Sequence, residues 1–137
     1  MIIRRADAET EAGVLPTEEL FDAMAKYNEE LVKAGVMLDG AGLQPSSKGM
    51  KVRFSGGRTS VVDGPFTEAK ELIAGYTLIE AGSLAEVVEL VKKWPAEDGH
   101  GNVTIEIRRV DEAEEFPTAT PEVIEQERRM RAATRKA

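Results

Sequence analysis

An α+β fold, with two helices lying on one face of an antiparallel sheet, is what this sequence predicts, and three observations predict it. Two amphipathic helical stripes run between Thr17 and Gly35 and between Ser83 and Pro95. Short apolar, strand-like segments stand before, between and after them. Gly56-Gly57, set between two strand-like runs, marks a tight hairpin with a primed turn.

The elements follow in order. Met1 to Arg4 is a short β-branched strand, and a polar connection through Asp7, Glu9 and Glu11 leaves it. Pro16 and Thr17 signal a helix start, with Glu18 and Glu19 in the first turn, where the helix dipole favours negative charge. Leu20, Met24, Tyr27 and Leu31 recur at helical spacing, Phe21 and Val32 are expected to widen the stripe, and Gly35 is placed to end it. Val36 to Leu38 is a short apolar run, and Gly40, Gly42, Pro45, Ser46 and Ser47 read as the loop after it. Lys51 to Ser55 and Arg58 to Val62 form the hairpin strands. Thr67 to Leu72 reads as a short helical segment and Gly75 to Glu80 as a strand. Ser83 and Glu86 stand at capping-box spacing ahead of Leu84, Val87, Val88, Val91 and Trp94, and Pro95 stops that helix. Val103, Ile105 and Ile107 alternate with polar residues in a last strand. Pro121 to Lys136 is a charged helix with Glu125–Arg129 and Glu127–Arg131 at i,i+4.

That order is a ferredoxin-like arrangement with an extra C-terminal helix. In the strand from Gly75, Tyr76 and Leu78 point to one side with Glu80, while Thr77 and Ile79 point to the other. A sheet apolar on both sides needs a second cover, and another copy supplying its own sheet would provide it with isologous symmetry. We therefore expect a homodimer.

With 137 residues the chain suits a single core. We expect one folded unit over residues 1–110 and a charged helical tail over residues 111–137. An apolar fraction of 42% beside a charged fraction of 31% is that of an ordinary globular protein. The chain has no cysteine, and Met-Ile-Ile-Arg-Arg opens it without the apolar run of a signal peptide, so a cytoplasmic, unprocessed protein with no membrane partner is expected. A net charge of −7 opposes direct nucleic-acid binding. The charge is uneven: Lys48, Lys51, Arg53 and Arg58 fall in a stretch without acids, whereas Asp111 to Glu127 is mostly acidic. The basic hairpin reads as a solvated face or a partner for the acidic tail, and an anion-binding face is the remaining alternative.

The best site candidate is the stretch from Val61 to Tyr76. Gly64 and Pro65 make a stiff corner at a strand end, and that corner presents the carboxylate of Asp63. Burial near Phe66 and Tyr76 would raise its pKa toward that of a general acid or base, whereas Lys70 as an ion partner would lower it. Alternatively, Asp63 accepts backbone N–H bonds and only closes the turn. Phe66, Lys70 and Tyr76 are the candidate ligand contacts. With a single histidine, no cysteine and no ligand spacing among the carboxylates, neither a metal site nor a cofactor is expected. The glycine pairs lack phosphate-loop spacing and read as turns.

Four segments taken together resemble the YCII-related family in its DGPF-domain branch: residues 28–38, Gly42-Leu-Gln-Pro-Ser, Val62-Asp-Gly-Pro-Phe-Thr-Glu-Ala-Lys-Glu, and Gly75-Tyr-Thr-Leu-Ile-Glu. The resemblance covers roughly residues 1 to 110. It implies a ferredoxin-like fold that dimerises as an α+β barrel, with a biochemical activity that is generally undefined. Some relatives are regarded as candidate enzymes because a histidine and an aspartate meet in a cleft, and some DGPF-type domains resemble accessory modules associated with sigma factors. The aspartate corresponds to Asp63. The early histidine has no counterpart, since the chain's single histidine is His100 in a glycine-flanked loop. Two functions are expected on this basis: a dimer that binds a small molecule in a cleft edged by Asp63, with acid/base chemistry there, or a non-catalytic interaction module whose tail helix engages a protein such as a transcription component.

Overall fold

The computed structural model describes residues 1–68 and 71–135, and its centre is a four-stranded antiparallel sheet. The strands are β1 (Ile2–Arg5), β2 (Met37–Gly42), β5 (Ile73–Ile79) and β6 (Ile105–Ile107), in the order β2-β5-β1-β6. Helix α2 (Glu18–Lys33) joins β1 to β2, and α3 (Leu84–Val91) joins β5 to β6. That connectivity is compatible with the ferredoxin-like α+β arrangement. Between β2 and β5 the chain leaves the sheet to form a separate two-stranded ribbon, β3 (Met50–Ser55) and β4 (Arg58–Asp63). Gly56 and Gly57 turn it with φ of 56° and 77°, the pair of positive values a tight hairpin requires.

Register decides which side of the sheet is covered. Ile2 stands between Thr77 and Ile107, and Ile2 and Thr77 are both buried. Ile3 stands opposite Tyr76 on the other side, where both are only half-buried. The alternation expected around Tyr76 is therefore present.

Helix α2 begins where Thr17 accepts the Leu20 N–H, and Gly35 follows its end at φ 73°. Tyr27 and Leu31 carry its buried stripe. Phe21 and Val32, expected to widen that stripe, are instead 63% and 60% exposed, because they lie past the edge of the helix face that meets the sheet. Tyr27 sets its ring edge-on to Trp94 with centroids 5.4 Å apart and donates its hydroxyl to the Leu90 carbonyl at 2.9 Å, tying α2 to α3.

Two expected loops are ordered elements. The polar connection after β1 contains a one-turn helix, α1 (Ala8–Glu11), in which Asp7 accepts the Thr10 N–H while Thr10 Oγ1 accepts the Asp7 N–H. Strand β2 runs on through Gly40, Ala41 and Gly42, which the sequence places in a loop. Here glycine serves close approach: a Cβ on Gly75 would stand 2.9 Å from the Ala41 carbonyl oxygen, and one on Gly40 would stand 3.0 Å from Met37 Cε. The expected helical segment from Thr67 to Leu72 is described only in part, since residues 69 and 70 lie outside the described residues; Glu71 donates its N–H to the Glu68 carbonyl.

Helix α4 (Pro121–Thr134) starts at Thr120, which accepts the Val123 N–H, and packs beside a single turn at Ala113–Glu115. The Glu127–Arg131 pair forms as expected. Among the described residues Glu125 and Arg129 do not pair; Arg128 reaches back to Glu114, at 2.9 Å.

The largest departure from the sequence reading lies under the sheet. Arg4 is 8% exposed and Asp98 7% exposed, and they meet as a two-pronged pair, Nε to Oδ2 at 3.0 Å and Nη2 to Oδ1 at 2.8 Å. Arg4 also donates to Asp7 Oδ2 and to its neighbour's carbonyl, while Trp94 Nε1 donates to Asp98 Oδ2 at 2.9 Å. Hydrogen bonding to Asp98 is the main cause that raises the Arg4 pKa above its ordinary value. For Asp7, partial burial opposes ionisation, but the Thr10 N–H and the Arg4 guanidinium outweigh it and hold the carboxyl below its ordinary 3.8.

The sign of that shift makes a pH prediction. Ionised Asp7 stabilises the fold fully above about pH 4, and the contribution is lost as pH falls through the lower folded-state value. Asp7→Asn keeps a capping oxygen but has no charge to lose. Its stability should fall less steeply than the parent's between about pH 5 and pH 3 in urea titrations. Identical acid limbs would refute the assignment.

Candidate functional site

The corner after β4 is assembled from three separate pieces of chain. Asp63 ends β4 opposite Met50. Gly64 then donates its N–H to the Gly49 carbonyl at 3.0 Å, and the Gly64–Pro65 peptide is cis. Phe66 donates its N–H to Ser46 Oγ at 2.9 Å. Ser46 in turn donates its hydroxyl to Glu11 Oε2, while its own N–H goes to Glu11 Oε1 at 3.1 Å. A carboxylate from α1, a hydroxyl from the loop after β2 and an amide from the corner thus form one chain of hydrogen bonds.

Backbone packing makes the corner tight. A Cβ on Gly64 would stand 1.7 Å from the Ser46 carbonyl oxygen, a distance at which no side chain fits. The glycine is there for space. Lys51 places its ammonium 4.2 Å from the centroid of the Phe66 ring, within the range of a cation–π contact.

The candidate residues divide accordingly. Asp63 is exposed and makes no hydrogen bond or ion pair with the described residues. Among the described residues no backbone N–H of the turn reaches its carboxylate: the Phe66 N–H goes to Ser46 and the Gly64 N–H to Gly49. Phe66 is half-buried against Lys51 and Ser46. Lys70 lies outside the described residues. Tyr76 sits in β5 and donates its hydroxyl to Asp39 Oδ2 at 3.2 Å. That hydrogen bond, and then the Asp39 charge, hold the phenol above its ordinary 10.0, so Tyr76 is a neutral donor at physiological pH. No hydrogen bond or ring contact joins Tyr76 to Asp63 or Phe66.

His100 stands at φ 55° with its ring exposed and Nε2 3.1 Å from Glu9 Oε2. No group of three or more histidines, cysteines or carboxylates with metal-site geometry occurs among the described residues. No helix among them is long and apolar enough to cross a membrane.

Sequence reasoning missed Glu11 and Ser46. Each looked like an ordinary connecting residue, and 35 positions separate them, so no local pattern announces that they meet. The one signal was chemical: a polar Pro-Ser-Ser loop and a Gly-Pro corner each need partners for their backbone groups.

Fold and corner together define a class: a small α+β domain in which the connection between the second sheet strand and the third carries a projecting ribbon and a tightly seated turn. The chain belongs to the YCII-related domain family, whose model matches residues 1–105. A protein of Rhizobium meliloti (strain 1021), described only as uncharacterized, is 33% identical over 75 residues. Those residues are 55% of this chain and 60% of that protein, so the match spans less than two thirds of the relative's length.

Proposed function

We propose that the domain acts as a homodimeric binding module and that Asp63 is the polar anchor for a small molecule held in a cleft the second copy helps to form. The observation that carries this reading is the state of Asp63 itself. Its neighbours Gly64 and Phe66 are tied down by hydrogen bonds, yet its carboxylate stays exposed with no partner among the described residues. A free acceptor on a stiff corner suits a ligand carrying a cationic or hydroxyl group. Phe66 and Tyr76 supply apolar and donor surface for the same ligand, with Lys70 as a further contact. Acid/base chemistry enters where the second copy removes Asp63 from water, because desolvation raises a carboxyl pKa toward neutrality.

Dimerisation is supported by how little apolar surface one chain buries. Among the described residues Ile2, Tyr27, Leu31 and Pro95 are the buried apolar side chains, while Ile3, Tyr76 and Leu78 face the uncovered side of the sheet only half-buried. A barrel formed by two such sheets would cover them. The rival reading, a non-catalytic module for a partner such as a transcription component, draws on exposed Val123 and Met130 on α4. It treats residues 1–110 as the domain and residues 111–137 as the docking tail.

Asp63→Asn separates the two. Screened by native mass spectrometry and thermal shift against a metabolite library, the parent chain should retain a small molecule that the variant loses by about tenfold or more in affinity, since a charged hydrogen bond contributes about 1.5–3 kcal/mol. The variant's own melting temperature should be unchanged, because the side chain holds none of the described residues in place. Equal binding by both proteins, or no small molecule retained by either, would favour the interaction module.

A further inference from the structure

The β3–β4 ribbon is exposed along its whole length, and its register sorts the side chains by chemistry. Met50, Val52, Phe54 and Val61 share one face and are 69%, 55%, 77% and 61% exposed. Asp63, opposite Met50, stands at the base of that face and is its one charged group. Lys51, Arg53 and Arg58 lie on the other face with Ser55 and Ser60. A two-stranded ribbon with nothing over its apolar face is marginal in water. The apolar face therefore needs a cover, while the basic face is suited to stay wet.

The central sheet has an uncovered apolar face of its own. Ile3, Tyr76 and Leu78 stand half-buried on the side opposite Ile2 and Thr77, and Ala41, paired with Tyr76, is exposed there. The two surfaces match in length: the ribbon strands have six residues each and β5 has seven. Two sheets facing each other would leave both ribbons bare, and two ribbons facing each other would leave both sheets bare. One ribbon laid on the sheet of a second copy, and repeated by a two-fold axis, covers all four surfaces. Each contact would bury about 450 Å² of ribbon and as much sheet, so the reciprocal pair reaches about 1,800 Å², the size of a standard specific interface.

We infer that the ribbon of each copy packs its apolar face on the open sheet face of the other, so that the ligand site takes Asp63 from one chain and Tyr76 from its partner. Within one chain no hydrogen bond joins these two residues. Because Asp63 shares the face that carries Val52 and Phe54, the surface that receives those side chains receives its carboxylate too. Apolar contact supplies the affinity, and the basic face remains in solvent. Asp63 would arrive where Asp39 already accepts the Tyr76 hydroxyl, and two carboxylates over one cleft favour a ligand bearing an amine or guanidinium group. The inference rests on the homodimer of the proposed function and names the element of the second copy that completes its cleft.

The chain has no cysteine, so single introduced thiols report cleanly. Chains bearing Val52→Cys are co-expressed with chains bearing Ala41→Cys and treated with a short bis-maleimide. The mixed Val52–Ala41 crosslink should predominate, and should exceed the yield when Arg53→Cys, on the opposite ribbon face, replaces Val52→Cys. Asp63→Cys should also link to Ala41→Cys. Light scattering adds a second readout: Val52→Thr with Phe54→Thr, which keeps strand-forming residues, should weaken self-association about tenfold or more, whereas Arg53→Ser should leave it unchanged. Predominance of Val52–Val52 links would mean that ribbons face each other, and predominance of Ala41–Ala41 links that sheets do; either overturns the inference while leaving the proposed dimer standing. Equal yields from Val52→Cys and Arg53→Cys would overturn it as well. A parent chain that stays monomeric at micromolar concentration would remove the inference and the proposed dimer together.

Discussion

Asp98→Ala is expected to lower the stability of the folded chain by about 3–5 kcal/mol, the cost of leaving one member of a buried ion pair without its partner. Arg4 keeps its charge at every accessible pH and would lose two of its hydrogen bonds, those to Oδ1 and Oδ2 of Asp98. Trp94 would lose the acceptor for its indole N–H as well. The melting temperature should fall by roughly 10 °C or more, with urea curves giving the free energy. Trp94 is the chain's single tryptophan, so its fluorescence reports directly on this pocket, and its emission should shift to the red before global unfolding. Asp98→Asn retains an oxygen for one donor and should fall between parent and alanine variant. A loss under about 1 kcal/mol for Asp98→Ala would mean that water reaches the Arg4 guanidinium and that the pair is not a buried one.

Gly64→Ala should cost about 3 kcal/mol or more, at the upper end of what overpacking causes, because the added methyl would overlap backbone atoms that cannot step aside independently. The Ser46 carbonyl oxygen at 1.7 Å is the obstacle, with the Ser46 carbonyl carbon 2.6 Å away behind it. Relief requires the loop after β2 to separate from the corner, which breaks the Phe66–Ser46 and Gly64–Gly49 bonds. Two measurements check this: the urea midpoint, and amide exchange at Phe66, which should accelerate far more than exchange in β1. Gly42→Ala is the matched control, since nothing stands within 4 Å of its would-be Cβ. Equal stabilities for the two alanine variants would sink the account.

Together these substitutions separate scaffold from site. Asp98 and Gly64 are predicted to matter for the fold, whereas Asp63 is predicted to matter only for a ligand. A chain in which Asp63→Asn is as damaging as Gly64→Ala would not have the exposed, unpartnered carboxylate described above.

Elements with a repeating local pattern were legible from the residues. The stripe through Tyr27 and Leu31, the Ser83 cap, the Gly56-Gly57 turn and the alternation around Tyr76 all appear where the pattern places them. Errors occurred where a residue's reason is a distant neighbour. Gly40 and Gly42 look like loop residues until β5 lies alongside them, and Phe21 and Val32 look like core until the width of the sheet is known. Of the candidate site, the stiff corner was readable, whereas the exposure of Asp63 on the single chain, and Glu11 and Ser46 beneath the corner, were not.

By itself, then, the order of residues determined the kind and succession of the elements, because hydrophobic period, caps and turn glycines act within a few positions of chain. Tertiary structure alone decided that Arg4 meets Asp98, 94 residues away, that Ser46 bridges Glu11 and Phe66, and that Asp63 has no partner among the described residues. Polar pairs of that kind leave no periodic trace, since either partner looks like any other charged or hydroxyl residue until folding removes both from water.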